Sequence, residues 1–289
     1  MPVVPPRPKP LPLNGLRAFE AAARLESFVA AAAELGVTPG AIAAHIKSLE
    51  AELGASLFER QARGVGLTGL ARRVLPDFVA AFDGLAAATA TLRVEAAPQR
   101  IHIAALPSVA QLWLSPRLPA LRKAAPDIAV SITVFEAPPN LKRVPFDLSI
   151  FYRRRGEGVA LDEDVIFPVC TPAIAAGLRA PADLRDVTCL TDAVWAEDWA
   201  AWMKKAAPGA AFAPRGPVYS LYALALAEAV NGAGVLMAHE ALVRDELEKG
   251  RLVAPFETRV TLPRALSVSS AGKMKKGSAA DRVVALLRA

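Results

Sequence analysis

Between Ser27 and Leu53 the apolar residues recur at spacings of three and four, and a single interruption, Gly36-Val37-Thr38-Pro39, divides them into two sets. Phe28, Ala31, Ala32 and Leu35 make the first stripe, and Ile42, Ile46, Leu49 and Leu53 the second. That spacing puts each set on one face of a helix. Ser27 is placed to cap the first helix, and Gly36 supplies the left-handed residue that ends it. Thr38 caps the next helix, with Pro39 at its first position, where the missing N–H costs nothing. An earlier stripe of Leu13, Leu16, Phe19 and Ala23 predicts a bracing helix. Ala stands wherever these helices must approach closely. The pattern is a helix-turn-helix.

The outward face of the helix after Thr38 carries Pro39, Gly40, Ala41, Ala44, His45 and Lys47. A second helix of this kind enters the major groove of double-stranded DNA. Its small residues permit close approach, and His45 and Lys47 reach bases or phosphates; Ser27 and Thr38 complete the candidate contacts on the helix pair. The following LFERQARGVGLT buries Leu57 and Phe58, exposes Arg60 and Arg63, and has Gly64 and Gly66 for a tight hairpin. Such a basic wing grips neighbouring phosphates or the minor groove. A plain three-helix bundle explains the helices but leaves the wing without a reason.

From Thr68 to about Glu95, Ala71, Leu75, Phe78, Phe82, Leu85, Thr89 and Leu92 alternate strictly by four and three. A 3.5-residue repeat makes a coiled-coil seam, so a homodimer is expected, with Pro76 bending the helix near its start. The other reading packs this helix on the same chain's second half.

After Ala96-Ala97-Pro98 the pattern changes. Strand-like runs at 101–106, 128–135, 146–152, 165–170, 187–192, 234–238 and 265–270 alternate with helical ones, including one that holds Leu112, Trp113 and Leu121. Further helices are expected near 197–206, 221–231, 239–249 and 279–288. This is an α/β sheet. The chain leaves the first sheet near Asp162 and returns near Pro263, which makes the second lobe an insertion.

The run LRAFEAAARLESFVAAAAELGVTPGAIAAHIKSLEAELGASLFER resembles the N-terminal signature of LysR-type transcriptional regulators closely, over about sixty residues. Where that family commonly has Gln, Ser and Arg, this chain has Pro39, Ala43 and Ala44, which shifts weight to Thr38, His45, Lys47 and the wing arginines. LSPRLPALRKAAPDIAV, FDLSIFY, PVCTPA, LRAPADL, EDWAAW and ALALAEAVNGAGVLMAHEALV resemble, more loosely, the family's effector domain, in the subgroup typified by the glycine-cleavage activator. EAPPNLKRVPF is proline-broken where the family usually has a helix. The resemblance implies an all-α winged helix-turn-helix with a long linker helix, then a two-lobed α/β effector domain built like a periplasmic binding protein. It also implies a dimer of dimers on an interrupted palindrome, a small-molecule effector that alters DNA bending, and contact with RNA polymerase. The expected division is a tail over 1–12, the DNA-binding domain over 13–68, the linker over 69–95 and the effector domain over 98–289. Within the last, lobe I takes 98–163 and 264–289, and lobe II takes 164–263.

Ser108, Thr171 and Ser220 each stand where a strand gives way to a helix, the usual capping position. In open α/β sheets such helix starts line the ligand crevice and favour an anion. With Val109, Tyr152, Arg153 and His239 they form the candidate effector site, for a small carboxylate; Ser108, Thr171 and Ser220 serve equally well as simple caps. Arg153-Arg154-Arg155 reads as a solvated turn, and Trp195, Trp199 and Trp202, at helical spacing, as core.

The rest of the sequence narrows the function class. No GxSxG, HExxH or P-loop is present, so neither an enzyme nor a cofactor is expected. Three His and two Cys, scattered, make no metal site. Cys170 and Cys189 lie in apolar runs as inert thiols, with a redox switch as the other reading. The net charge of +6 is a weak pointer to a polyanion. The proline-rich start is no signal peptide, and no apolar run reaches the ~20 residues of a membrane span. A cytoplasmic protein with no membrane partner is expected.

Overall fold

The computed structural model describes residues 11–60, 65–97, 99–209 and 211–288. It divides into two compact units. One holds the residues up to Leu92 together with Lys142–Val144, the other the remaining residues from Arg93 onward.

The first unit starts with helices α1 (Leu13–Leu25), α2 (Phe28–Leu35) and α3 (Pro39–Leu53). Ser27 Oγ accepts the Ala30 N–H at 3.1 Å and Thr38 Oγ1 that of Ala41 at 3.2 Å, so both caps form. Gly36 and Gly54 end α2 and α3 in the left-handed region, at φ 68° and 63°. Ala18, Ala21, Ala22, Ala31, Ala32, Ile42 and Ile46 pack as the core between the three helices. Leu53, expected on the inner stripe, is instead exposed beside the glycine that turns the chain away. Strands β1 (Phe58–Arg60) and β2 (Val65–Leu67) pair antiparallel as the wing. Helix α4 (Gly69–Ala96) follows, with Thr68 Oγ1 accepting the Ala71 N–H, and runs on through Pro76. Ala71, Leu75 and Phe78 join the head's second core around Phe19, while Leu85 and Leu92 are exposed.

Among the described residues one helix, Gly69–Arg93, is long and apolar enough to cross a membrane, with a mean hydropathy of 1.2. Arg72, Arg73, Asp77, Asp83 and Arg93 interrupt it, so no uninterrupted apolar run in it approaches twenty residues.

In the second unit, β3 (Arg100–Ala105) leads through a π-helical turn (Val109–Leu114) and a 3-10 turn to α5 (Leu118–Ala124), where a continuous helix was expected. Strands β4 (Ala129–Val134), β5 (Leu148–Arg154) and β6 (Val159–Val169) follow. No helix forms between β4 and β5, over the proline-broken stretch. Then come α6 (Pro172–Ala175), a 3-10 turn (Pro181–Asp186), β7 (Cys189–Asp192), α7 (Asp198–Ala206) and β8 (Val218–Tyr219). The chain closes with α8 (Tyr222–Val230), β9 (Val235–His239), α9 (Glu240–Glu248), β10 (Val260–Ser270) and α10 (Ala279–Arg288).

The eight strands form one mixed sheet in the order β4-β3-β5-β10-β6-β9-β7-β8. Its two ends belong to different lobes, and the long strands β6 and β10 pass between them, paired to each other. Their register jumps from Thr261↔Val165 to Ala265↔Glu163, so Leu262, Pro263 and Arg264 bulge opposite Asp164. A bulge bends a strand and raises its twist. Where β9 begins beside β7, a Cβ on Gly234 would meet the Thr188 carbonyl oxygen at 2.4 Å, so only glycine fits.

Candidate functional site

The head presents one exposed surface of the expected kind. Thr38, Pro39, Gly40, Ala44 and Lys47 are exposed, and Ala41 and His45 half-buried, along the outer face of α3. Ala43 and Ser48 are exposed there too and belong with this set. Ser27 spends its hydroxyl on capping α2. Gly15 lets α1 lie close against α3: a Cβ there would meet the His45 carbonyl oxygen and Leu49 Cβ at 3.4 Å. Glu50 holds the wing to α3 through the amides of Leu57 and Phe58. Arg63 and the side chain of Arg60 lie outside the described residues.

A buried ion network ties α1 to α2 and was not foreseen. Glu20 accepts a bond from Arg24 at 2.9 Å, and Arg24 bonds Glu34 at 2.5 Å. Its signal in the sequence, Glu20 and Arg24 one helical turn apart, is indistinguishable from an ordinary surface pair.

The second unit has a cleft of about 250 Å³. Its walls follow the carboxyl ends of four strands: Leu106, Pro107 and Ser108 after β3, Glu136 after β4, Asp192, Val194 and Trp195 at and after β7, and Ser220, Leu221 and Tyr222 after β8. That is where open α/β sheets bind ligands. The lining includes two acids and no Lys or Arg. Asp192 is buried, and Oδ1 accepts the Val194 and Trp195 amides at 2.9 and 3.2 Å. Burial nonetheless pushes its carboxyl above the ordinary value. Ser108 Oγ is buried with no hydrogen-bond partner among the described residues. The side chain of Leu221, at the N-cap of α8, accepts nothing.

Of the sequence-derived effector residues, Ser108 and Ser220 line the cleft; Val109, Tyr152, Arg153, Thr171 and His239 do not. None of Ser108, Thr171 and Ser220 caps a helix with its side chain, because Ser108 is itself helical in backbone and α8 starts one residue after Leu221. Arg153 turns to Ser149 Oγ at 3.2 Å. Trp199 and Trp202 are core, but Trp195 faces the cleft. Glu136, Asp192 and Trp195 line the cleft but were not singled out as contacts, because each stands at or just beyond the end of a strand-like run, where nothing local marks a cleft.

Beneath the cleft lies a second buried ion network. His239 Nδ1 is 2.7 Å from Asp164 Oδ1, and Nε2 is 3.5 Å from Asp198 Oδ2. Arg264 bonds Asp164 Oδ2 at 2.5 Å and Asp198 Oδ2 at 2.6 Å. Burial pushes both carboxyls upward most strongly. At Asp164 the bonds from His239 and Arg264 outweigh it and hold the group below its ordinary 3.8; at Asp198 they do not, and it stays raised.

A reading head, a heptad helix and a separate ligand-binding domain define a one-component DNA-binding regulator. The helix-turn-helix profile of bacterial regulatory proteins of the lysR family matches residues 13–72, and the LysR substrate binding domain matches 95–289. The chain belongs to the LysR family of transcriptional regulators, and is not an enzyme. It is 36% identical over 252 residues to the glycine cleavage system transcriptional activator of Escherichia coli, covering 85% of this chain and 82% of that one. The effector domain of AmpR from Pseudomonas aeruginosa is 26% identical, with a TM-score of 0.54 over 66% of this chain and 94% of that one. DarR of Vibrio fischeri, solved with DNA, is 16% identical and shares the fold, with a TM-score of 0.52 over 97% of this chain and 99% of that one.

Proposed function

We propose that this regulator responds to a small zwitterion, one ammonium and one carboxylate on a compact body, held between the lobes of its effector domain. The observation that carries the reading is the cleft's charge: Glu136 and Asp192 in its wall, and no basic side chain. A purely anionic effector, as the helix starts alone suggest, would face two carboxylates there. An ammonium beside Asp192 would instead compensate a charge that burial leaves poorly solvated. The carboxylate goes to the first-turn amides of Tyr222 and Ala223, which no side chain caps and where the helix dipole favours it. Ser108 Oγ supplies a further bond to either group.

At the other end, the outer face of α3 reads the major groove through Thr38, His45 and Lys47, with Pro39, Gly40, Ala41 and Ala44 in close apposition. Ser27 and the wing's Arg60 and Arg63 lie at the flanking backbone. The exposed half of the α4 heptad stripe pairs two chains, and two such pairs span the operator and meet RNA polymerase in the cytoplasm. We keep the division at 1–12, 13–68, 69–95 and 98–289.

The test is calorimetric titration of the full-length chain with amino acids, with the matching amines and with the matching carboxylic acids. Saturable binding of amino acids, weakened about tenfold or more by Asp192→Asn through loss of a charge-assisted bond, is expected. Binding of the carboxylic acids alone, or indifference to Asp192→Asn, overturns it.

A further inference from the structure

We propose that His239 is a positioning residue that ties the state of the cleft to the strands crossing between the lobes; this rests on the cleft's being the effector site. His239 is 1% exposed and lines no part of the cleft. It nevertheless touches two residues that do. The Trp195 ring centroid is 4.0 Å from that of His239, and the His239 backbone N–H donates to Tyr222 Oη at 3.2 Å.

On its other side the imidazole meets the crossing strands. Asp164 lies on β6 and Arg264 in the bulge of β10, the two segments that join the lobes. Asp198 opens α7, three residues beyond Trp195. One buried ring thus contacts the wall of the cleft and the acids of the crossing at once.

The two ring nitrogens are held unequally. Nδ1 has a tight partner in Asp164, whereas Nε2 stands 3.5 Å from Asp198 and has no hydrogen bond. Asp198 Oδ2 is meanwhile taken by Arg264. A ligand that presses on Trp195 moves the ring it packs against. With the ring proton on Nδ1 facing Asp164, Nε2 presents a lone pair, so a shift that brings it closer to Asp198 Oδ2 pushes that oxygen away and disturbs its bond to Arg264. Arg264 is then freed from α7 or drawn closer to Asp164, and the bulge changes its bend. Packed interiors respond to such displacements by switching between discrete arrangements.

The experiment is a double-mutant cycle on the full-length chain without ligand, read by hydrogen–deuterium exchange of the amides over 162–166 and 260–266. Trp195→Phe should change exchange there about threefold or more, the low end of coupling for side chains in contact, and add nothing once His239→Gln is present. Val194→Ala, which alters the cleft wall but not the ring contact, should leave these amides unchanged. The same change with and without His239, no change from Trp195→Phe, or an equal change from Val194→Ala overturns the proposal. Should His239→Gln fail to fold, Asp198→Asn takes its place in the cycle with the same expected outcome. Because no ligand is used, intact coupling with no amino-acid binding would sink only the zwitterion reading.

Discussion

The carboxylate of Glu50, on α3, accepts the backbone N–H of Leu57 at 2.7 Å and that of Phe58 at 3.1 Å through one oxygen. Together with the packing of Leu57 and Phe58 against the helices, that side chain sets the angle between reading helix and wing. Glu50→Ala leaves both amides unanswered, at about 1–3 kcal/mol each. The head's melting temperature should fall, and affinity for operator duplex should drop about tenfold or more at constant salt. Fluorescence anisotropy against the wild type checks this; a melting loss with unchanged affinity would show that the wing takes no part in DNA binding.

Leu85 and Leu92 stand 53% and 69% exposed on α4, in register with the buried Ala71. Burial of one leucine is worth about 1.5–3 kcal/mol, so replacing either by Asp should weaken self-association about tenfold or more. Sedimentation equilibrium reads the shift toward monomer. Unchanged association of the double variant would place the dimer contact elsewhere.

Asp164 and Asp198 share Arg264 but should titrate in opposite senses. Asp164 is held below 3.8, so its contribution to stability is present above that value and disappears as the pH falls through its lower folded pKa. Asp164→Asn should cost about 3–5 kcal/mol near neutrality, the range for breaking a buried pair. Its deficit should shrink below pH 3.8. Burial raises Asp198, so its charge costs stability above its folded pKa, and that cost is relieved as the pH falls through it. Asp198→Asn should therefore be the milder change. Melting curves between pH 7 and 3 decide the matter; equal losses at every pH would contradict the assignment.

Cys170 and Cys189 are both buried, and burial pushes each thiol up to about 11. At pH 8 almost none of either is thiolate, so a thiol reagent should label the native chain far more slowly than the unfolded one. Rapid labelling, or a disulfide under mild oxidation, would restore the redox reading.

The head was legible in the sequence because its signals are local. Ser27, Gly36, Thr38 and Gly54 each do their work within three or four residues. The sheet was legible strand by strand, except that the two-residue edge strand β8 was not read and that β6 and β10 run well past their apolar cores: Val159–Val169 against 165–170, and Val260–Ser270 against 265–270. Their outer halves carry acids, a proline and an arginine, which depress any strand signal although they pair in the sheet. The cleft was legible only in part. Ser108 and Ser220 were found from their place at strand ends, though for a capping role that neither performs. Asp192 offers no local hint of burial, and its meeting with Glu136 depends on two strand ends more than fifty residues apart.

An α3 whose accessible face is mainly Pro39, Gly40, Ala41, Ala43 and Ala44 has few hydrogen bonds to offer to base edges. Methyl groups of that size nestle against thymine C5-methyls, and a bare helix sits deeper where the duplex gives way easily. Operators for this regulator should accordingly share flexible pyrimidine–purine steps more than a fixed string of letters, and an inventory of its sites is better aligned by duplex deformability than by consensus.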